Sequence, residues 1–241
     1  MKISVIVPAY NEEKLIADSL GCIRSAFAAF HRLGWESELV VCDNNSTDRT
    51  AELARAAGAI VVFEPMNQIS RARNRGAEAA TGDWLVFIDA DSYPSPELFG
   101  EVAEAIQTGR CLAGGCLVRL DGWHLPTELA VRGWNVISRI THWAAGSFIF
   151  CEAAAFRRIG GFNLELFVTE EVDLSKRLKK LARETGKEMV IVRRHSLVTS
   201  DRKLRLYSVG EILRFSLRMC FRPKRTLKSR AACQPWYDGR R

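Results

Sequence analysis

Trp84-Leu85-Val86-Phe87-Ile88-Asp89-Ala90-Asp91 is a five-residue apolar run that ends abruptly in two aspartates with one residue between them. A short continuous apolar run bounded by Thr81-Gly82-Asp83 and by acids reads as a buried strand. The stretch before it repeats the theme. Residues 2–7 form an apolar run that stops at Pro8, and residues 38–42 and 59–63 are further runs. Helical patterns separate them. Asn11 is a candidate N-cap for a stripe of Ile16, Leu20, Ile23, Phe27 and Phe30 that closes at Gly34; residues 47–57 close at Gly58, and residues 71–80 form a third. Near-continuous Val/Ile/Leu strands alternating with helices predict an α/β fold, with a mostly parallel, Rossmann-like central sheet flanked by helices. Ligands of such sheets bind beyond the carboxyl ends of the strands. Residues 8–12, 43–47 and 89–92 are therefore expected around one crevice.

After Asp91 the rhythm changes. Ser95-Pro96-Glu97 carries an N-cap, a first-position proline and a first-turn acid. Residues 116–120 and 147–151 read as strands, joined by a Trp- and His-containing segment at 121–146. Residues 171–184 form a helix with Leu174, Leu178 and Leu181 on one face, and residues 189–192 a last strand. Leu206, Val209, Leu213, Leu217 and Cys220 then make an amphipathic stripe in a basic tail.

The chain has 241 residues, 47% of them hydrophobic and 26% charged, the proportions of a soluble globular enzyme. Its formal charge of +7 is concentrated beyond Arg193. The rest of the chain shows no basic-aromatic platform, so nucleic acid is not an expected partner. Seven cysteines with no CxxC pair argue against a disulfide framework or a zinc site. The opening residues do not form a signal peptide, and no apolar run approaches a membrane span, so a cytoplasmic location is expected.

Three clusters carry chemistry. Asp89 and Asp91, separated by one residue at a strand end, can share a hard cation, Mn2+ or Mg2+, that leaves positions open for phosphate oxygens; the plain alternative is a turn in which they cap backbone amides. Cys42-Asp43-Asn44-Asn45-Ser46-Thr47-Asp48 follows a strand and opens a helix, placing polar side chains where a nucleobase or ribose would lie, while also serving as a cap. Glu170, Glu171 and Asp173 open a helix. The macrodipole stabilises such acids, and a carboxylate kept ionised there can serve as a general base.

Taken in order, these stretches resemble family-two glycosyltransferases of the GT-A fold. The resemblance rests on Val5-Ile6-Val7-Pro8-Ala9-Tyr10-Asn11-Glu12-Glu13, the Asp43–Asp48 stretch, Ala72-Arg73-Asn74-Arg75-Gly76, Thr81-Gly82-Asp83-Trp84, Asp89-Ala90-Asp91, Gly160-Gly161-Phe162 and Glu170-Glu171-Val172-Asp173-Leu174. It implies an inverting transfer from a nucleoside diphosphate sugar, UDP- or GDP-linked, to a saccharide or lipid-linked acceptor. It also implies nucleotide contacts from Pro8, Tyr10, Glu12, Asp43, Asn45, Arg73, Asp89 and Ala90, a metal on Asp91 with Asp89, and catalysis by Glu171 beside Glu170. Residues 1–202 are then the catalytic domain, with a nucleotide-binding half at 1–92 and a smaller acceptor-binding half at 93–202; 203–241 is a basic amphipathic extension. Two positions depart from the family pattern: Asn44 stands where a second aspartate is common, and Glu171 where the base is usually aspartate. His195 is read as a further metal ligand, the alternative being a histidine paired with a backbone group. For the basic extension two readings stand: packing on the catalytic domain, or peripheral contact with the inner face of a membrane.

Overall fold

The computed structural model describes residues 1–122, 125–202, 227 and 229, with only the backbone at 125 and 126. The amphipathic stripe at 206–220, Trp123 and His124 lie outside the described residues.

The chain runs β1 (Lys2–Ala9), α1 (Ile16–Ala26), α2 (Ala28–His31), β2 (Glu36–Asp43), α3 (Thr50–Ala56), β3 (Ile60–Phe63), α4 (Ile69–Ala79) and β4 (Trp84–Ile88). It continues with β5 (Ser92–Tyr93), α5 (Pro96–Gln107), β6 (Cys111–Leu120), α6 (Leu125–Thr141), β7 (Phe148–Glu152), α7 (Ala153–Arg158), α8 (Glu170–Glu184) and β8 (Glu188–Thr199). The strand expected at Trp84–Ile88 is found with those bounds, and Gly34 and Gly58 end their helices at positive φ of 70° and 75°. Asn11 does not cap α1. It sits at φ 52°, and its side-chain oxygen instead accepts the Thr47 N–H, so the helix starts only at Ile16. Ser95 does cap α5, accepting from the Leu98 N–H at 3.2 Å.

Among the described residues one sheet has the order β3-β2-β1-β4-β7-β6-β8-β5. The first four strands are parallel, as expected for βαβ units. Beyond β4 the sheet is mixed: β7 is antiparallel to both β4 and β6, β8 runs parallel to β6, and β5 is antiparallel to β8. Both faces are covered, so strand side chains are buried on either side. Val5 and Val7 pack with Leu20, Ile23, Phe30 and Phe99 of α1, α2 and α5, while Ile6 packs with Ala77, Phe156, Leu174 and Leu178 of α4, α7 and α8.

Strands β4 and β5 are fourth and eighth in the sheet, yet only Asp89-Ala90-Asp91 separates them. Three residues span roughly 10 Å, so the sheet must curl until its far edge meets the end of β4. Asp89 stays with the β4–β7 side, its N–H toward the Ser147 carbonyl at 3.4 Å; Asp91 belongs to the far edge, its carbonyl accepting the Ser200 N–H at 3.0 Å. The two aspartates thus sit on the seam of the curl.

β8 extends seven residues past the expected 189–192, through a bulge. Cys116 is opposite Val192 and Val118 opposite Leu197, so four residues on β8, 193–196, stand against the single Leu117 on β6. The N–H groups of Arg193, Arg194 and His195 leave the ladder and donate to the Glu101 carboxylate on α5, at 2.6, 3.1 and 3.0 Å. The bulge explains why the apolar signal ended at Val192.

Candidate active site at the carboxyl ends of β1, β2 and β4

The loops after β1 and β2 are stitched together. Asn11 N–H donates to Ser46 Oγ at 3.0 Å, Glu12 N–H to Thr50 Oγ1 at 2.8 Å, and Asn44 N–H to the Ala9 carbonyl at 2.8 Å. Asp43 turns its carboxylate onto its own loop and accepts the Ser46 N–H at 3.0 Å. Pro8 lies in β1 opposite Cys42; Tyr10 is partly exposed, Glu12 and Asp43 are buried, and Asn45 is exposed at φ 67°. These nucleotide-contact candidates therefore share one rim.

Asn44 shows why an amide stands where an acid is common. Its Nδ2 donates to the carbonyls of Glu64 and Met66 at 3.1 and 2.7 Å, and its Oδ1 accepts the Gln68 N–H at 2.9 Å. A carboxylate accepts only and could not hold the 64–68 loop in this way. Asn44 is thus a loop anchor, and Gln68 relays the restraint onward through bonds from Nε2 to the carbonyls of Leu164 and Leu166.

The centre of the site is Arg73 on α4. Its Nη1 donates to Glu170 Oε1 at 2.8 Å, and its Nη2 to Asp89 Oδ1 at 2.9 Å and to the Gly146 carbonyl at 2.7 Å. Phe162 covers its guanidinium at 5.1 Å from the ring centroid, and the side chain is 1% exposed. Arg73, expected among the nucleotide contacts, has its guanidinium engaged by protein groups beside Asp89. Glu171 lies against Gly146, where a Cβ on that glycine would be 3.5 Å from Glu171 Cγ.

One cation therefore faces three carboxylates. Burial works against the charge of Arg73, but Asp89, Glu170 and Glu171 hold its pKa above the ordinary value. Burial, then the neighbouring Glu171, raises the Glu170 carboxyl well above the usual glutamate range, with Arg73 opposing. Burial raises Glu171 too. The pair titrates as a unit, and one proton shared between them relieves the excess negative charge. Asp173, the third acid of the α8 first turn, is paired with Arg177 at 2.7 Å and stands apart from the cluster.

Asp89 and Asp91 offer two hard oxygen donors on one short loop, Ala90 being buried between them, and Asp91 is itself buried. Oxygen donors of this kind suit Mn2+ or Mg2+, with phosphate oxygens and water completing the shell; among the described residues there is no cluster of three or more His, Cys, Asp or Glu that could hold a metal by itself. His195 is the further ligand expected from the sequence. It lies in the β8 bulge with Nδ1 3.5 Å from Glu101 Oε2, whereas Asp91 meets β8 at Ser200, five residues further on.

Two participants escaped sequence reading. Arg202, just beyond β8, forms an ion pair with Glu12 on the nucleotide rim. Glu101 fixes the bulge that displaces His195. Neither belongs to a motif, and their partners are 190 and 92–94 positions away, so no local pattern could have found them.

The family model for glycosyl transferase family 2 matches residues 4–158. A dolichol-phosphate mannosyltransferase of Pyrococcus furiosus is 31% identical over 149 residues, covering 58% of this chain and 41% of that protein. An undecaprenyl-phosphate 4-deoxy-4-formamido-L-arabinose transferase of Pseudomonas paraeruginosa is 35% identical over 124 residues, covering 46% and 34%. The chain thus spans about two fifths or less of the length of these curated relatives. Among solved structures, S. aureus TarS 1-349 superposes with a TM-score of 0.65 at 20% identity, over 99% of this chain and 79% of that one. The mannosyltransferase PcManGT from Pyrobaculum calidifontis, in complex with GDP-Man and Mn2+, gives 0.64 at 21%, over 93% and 60%. At these identities the structural likeness bears on the fold alone, which is that of the GT-A glycosyltransferases.

Proposed function

This chain belongs to glycosyl transferase family 2, and on that premise we propose that it transfers a sugar from a nucleoside diphosphate sugar to an acceptor hydroxyl, with inversion at the anomeric carbon. The observation that carries the reading is the buried cluster in which Arg73 ties Asp89, at the end of β4, to Glu170, at the start of α8. It joins the donor side of the crevice to a pair of carboxyls whose affinity for protons has been raised.

In this reading Tyr10, Glu12, Asp43 and Asn45 form the rim along which the nucleoside lies, and Asp91 with Asp89 would hold Mn2+ or Mg2+. The ion, when bound, supplies positive charge that stabilises the departing diphosphate oxygen. Glu170 is the partner of Arg73 in the buried ion pair, and Glu171, which is less buried, is the member that takes the acceptor's proton when ionised. The acceptor oxygen forms the new bond to the anomeric carbon as its proton passes to Glu171. The bond to the diphosphate breaks, and its electron pair leaves with the phosphate oxygen. Arg73 does not touch the reactants: it fixes the spacing between Asp89 and the glutamates, and angstrom-scale errors in such spacing cost about a hundredfold in rate.

The dolichol-phosphate and undecaprenyl-phosphate in the relatives' names support a lipid-linked acceptor, with a saccharide as the other class. Polysaccharide or glycolipid synthesis at the cell envelope is the corresponding setting. The test is calorimetry with UDP and with GDP, each with and without manganese. One of the two nucleotides is expected to bind only when the metal is present. Equal binding without metal rejects the role of Asp89 and Asp91, and binding of neither nucleotide under any condition rejects the donor class.

A further inference from the structure

Helix α6 is turned inside out. Two of its polar residues face the protein: Asn135 exchanges two hydrogen bonds with the backbone of Val118, at 3.1 and 2.8 Å, and the sealed Ser138 hydroxyl donates to the Trp143 carbonyl at 2.7 Å. Four of its aliphatic residues face outward. Leu129, Val136, Ile137 and Ile140 are all exposed, Ile140 to 73%. At 100° per residue, Leu129, Gly133, Val136 and Ile140 fall within an arc of about 60°, with Ile137 beside it. Exposed Arg132 and Arg139 lie together along one edge of that arc.

We propose that this face of α6 docks on an anionic phospholipid surface, the aliphatic stripe entering the headgroup boundary and the arginines meeting lipid phosphates. An amphipathic helix lying in the interface plane has this composition, with apolar residues on one side and Lys or Arg flanking them. Charge favours it further. Lys176 covers the Trp143 ring at 4.7 Å, and Lys179 Nζ reaches the Thr141 carbonyl at 2.7 Å, so cations also stand at the C-terminal end of the helix. Glu128, paired with Arg132 at 3.0 Å, is the acid within the stretch. A second copy of the chain fits poorly. A 17-residue helix offers a stripe of about 250 Å², against the roughly 800 Å² per partner of a stable interface. Two chains of net charge +7 would moreover repel.

The placement has a functional consequence. Five residues after α6 ends, Gly146 supplies the carbonyl held by Arg73. A surface that holds α6 therefore lies beside the mouth of the crevice. The inference does not rest on the transfer reading, because it concerns a face that the cluster does not use.

The test is flotation of the full chain with vesicles of phosphatidylcholine, with and without phosphatidylglycerol, comparing wild type with Ile137→Glu/Ile140→Glu and with Arg132→Gln/Arg139→Gln. Wild type is expected to float with phosphatidylglycerol vesicles. The isoleucine variant should lose most of that binding, and the arginine variant about fivefold for each arginine removed. Circular dichroism and UDP or GDP calorimetry report on fold and crevice separately; Ile140→Glu alone, at a position already open to water, serves if the double variant misfolds. Absence of wild-type binding overturns the proposal. So does binding unchanged in the isoleucine variant, which would assign the contact to another surface such as the basic extension. So does a wild-type dimer, seen by analytical sedimentation, that the isoleucine variant dissociates.

Discussion

Arg73 Nη1 lies 2.8 Å from Glu170 Oε1, with the two side chains only 1% and 6% exposed. A charge pair so deeply buried is costly to form and more costly to break, since removing one partner leaves the other unpaired out of water. Here the pair joins α4 to α8, which pack on the same face of the sheet, and holds Asp89 at the same time.

Arg73→Met is therefore expected to destabilise the fold by about 3–5 kcal/mol, because Glu170 loses its counter-charge within the core. Arg73→Lys should fall between, since a single ammonium cannot reproduce a planar fork that serves Asp89, Gly146 and Glu170. Urea unfolding followed by tryptophan fluorescence reads both variants, and stability equal to wild type in Arg73→Met would show that the cluster does not hold the fold.

Glu171→Gln keeps the shape of the site and removes the base. Transfer should drop by at least about a hundredfold, within the span that a positioned proton acceptor contributes, while UDP or GDP binding stays within about twofold of wild type. The readout is sugar transfer beside nucleotide calorimetry. Undiminished transfer would move the base to another group.

The raised glutamates set opposite pH trends for activity and stability. Glu171 acts as a base only when ionised, so transfer should still be rising at pH values where an ordinary glutamate is already fully ionised. For stability, a carboxyl whose folded pKa lies above its unfolded value of 4.5 contributes fully below that value and loses its contribution as pH rises through the folded one. Melting temperature should thus fall on the alkaline side in wild type and fall less in Glu170→Gln. Parallel pH curves for the two proteins would remove the pair from that role.

Asn44→Asp is expected to cost about 1–3 kcal/mol, as the carbonyls of Glu64 and Met66 lose their donor and a new carboxylate faces them. Thermal unfolding measures it. No change would mean that the 64–68 loop is anchored by other groups.

Glu101 accepts three backbone N–H groups from the β8 bulge, and these hold its carboxyl below the usual range against the opposing effect of burial. Its contribution is present above its unfolded pKa and is lost as pH falls through the lowered folded value. Glu101→Ala should destabilise the chain at neutral pH by about 2 kcal/mol or more and much less in strong acid. His195→Ala, at a half-exposed position on that carboxylate, should leave any manganese dependence of nucleotide binding unaltered; a lost dependence would restore His195 to the metal.

Much of this architecture was legible in residue order. The run 84–88 and its neighbours announced the parallel strands, because an apolar stretch buried on both faces leaves its mark within five residues. Glycines 34 and 58 marked helix ends by the same local logic, and the motifs carried the family. Two readings fell short for one shared reason. Asn11 has a cap's composition, but its oxygen was claimed by Thr47. The strand beginning at residue 189 ran on through a bulge invisible to periodicity, since Glu101 rather than β6 satisfies those amides. His195 was read from its place after a strand and Arg73 from the family motif; the structure adds that both meet groups far away in sequence.

The sequence alone thus determined the strand–helix alternation of the first ninety residues, the family, and which polar loops end the strands, because these depend on hydrophobic period and turn chemistry within a few residues. Tertiary structure alone decided the curl that sets Asp89 and Asp91 on its seam, the three carboxylates gathered around Arg73, the seating of His195 beside Glu101, and the outward-facing aliphatic side of α6. Each of those depends on which distant group reaches a buried charge or an unpaired amide first, and the low polarity of the interior makes that contest decisive.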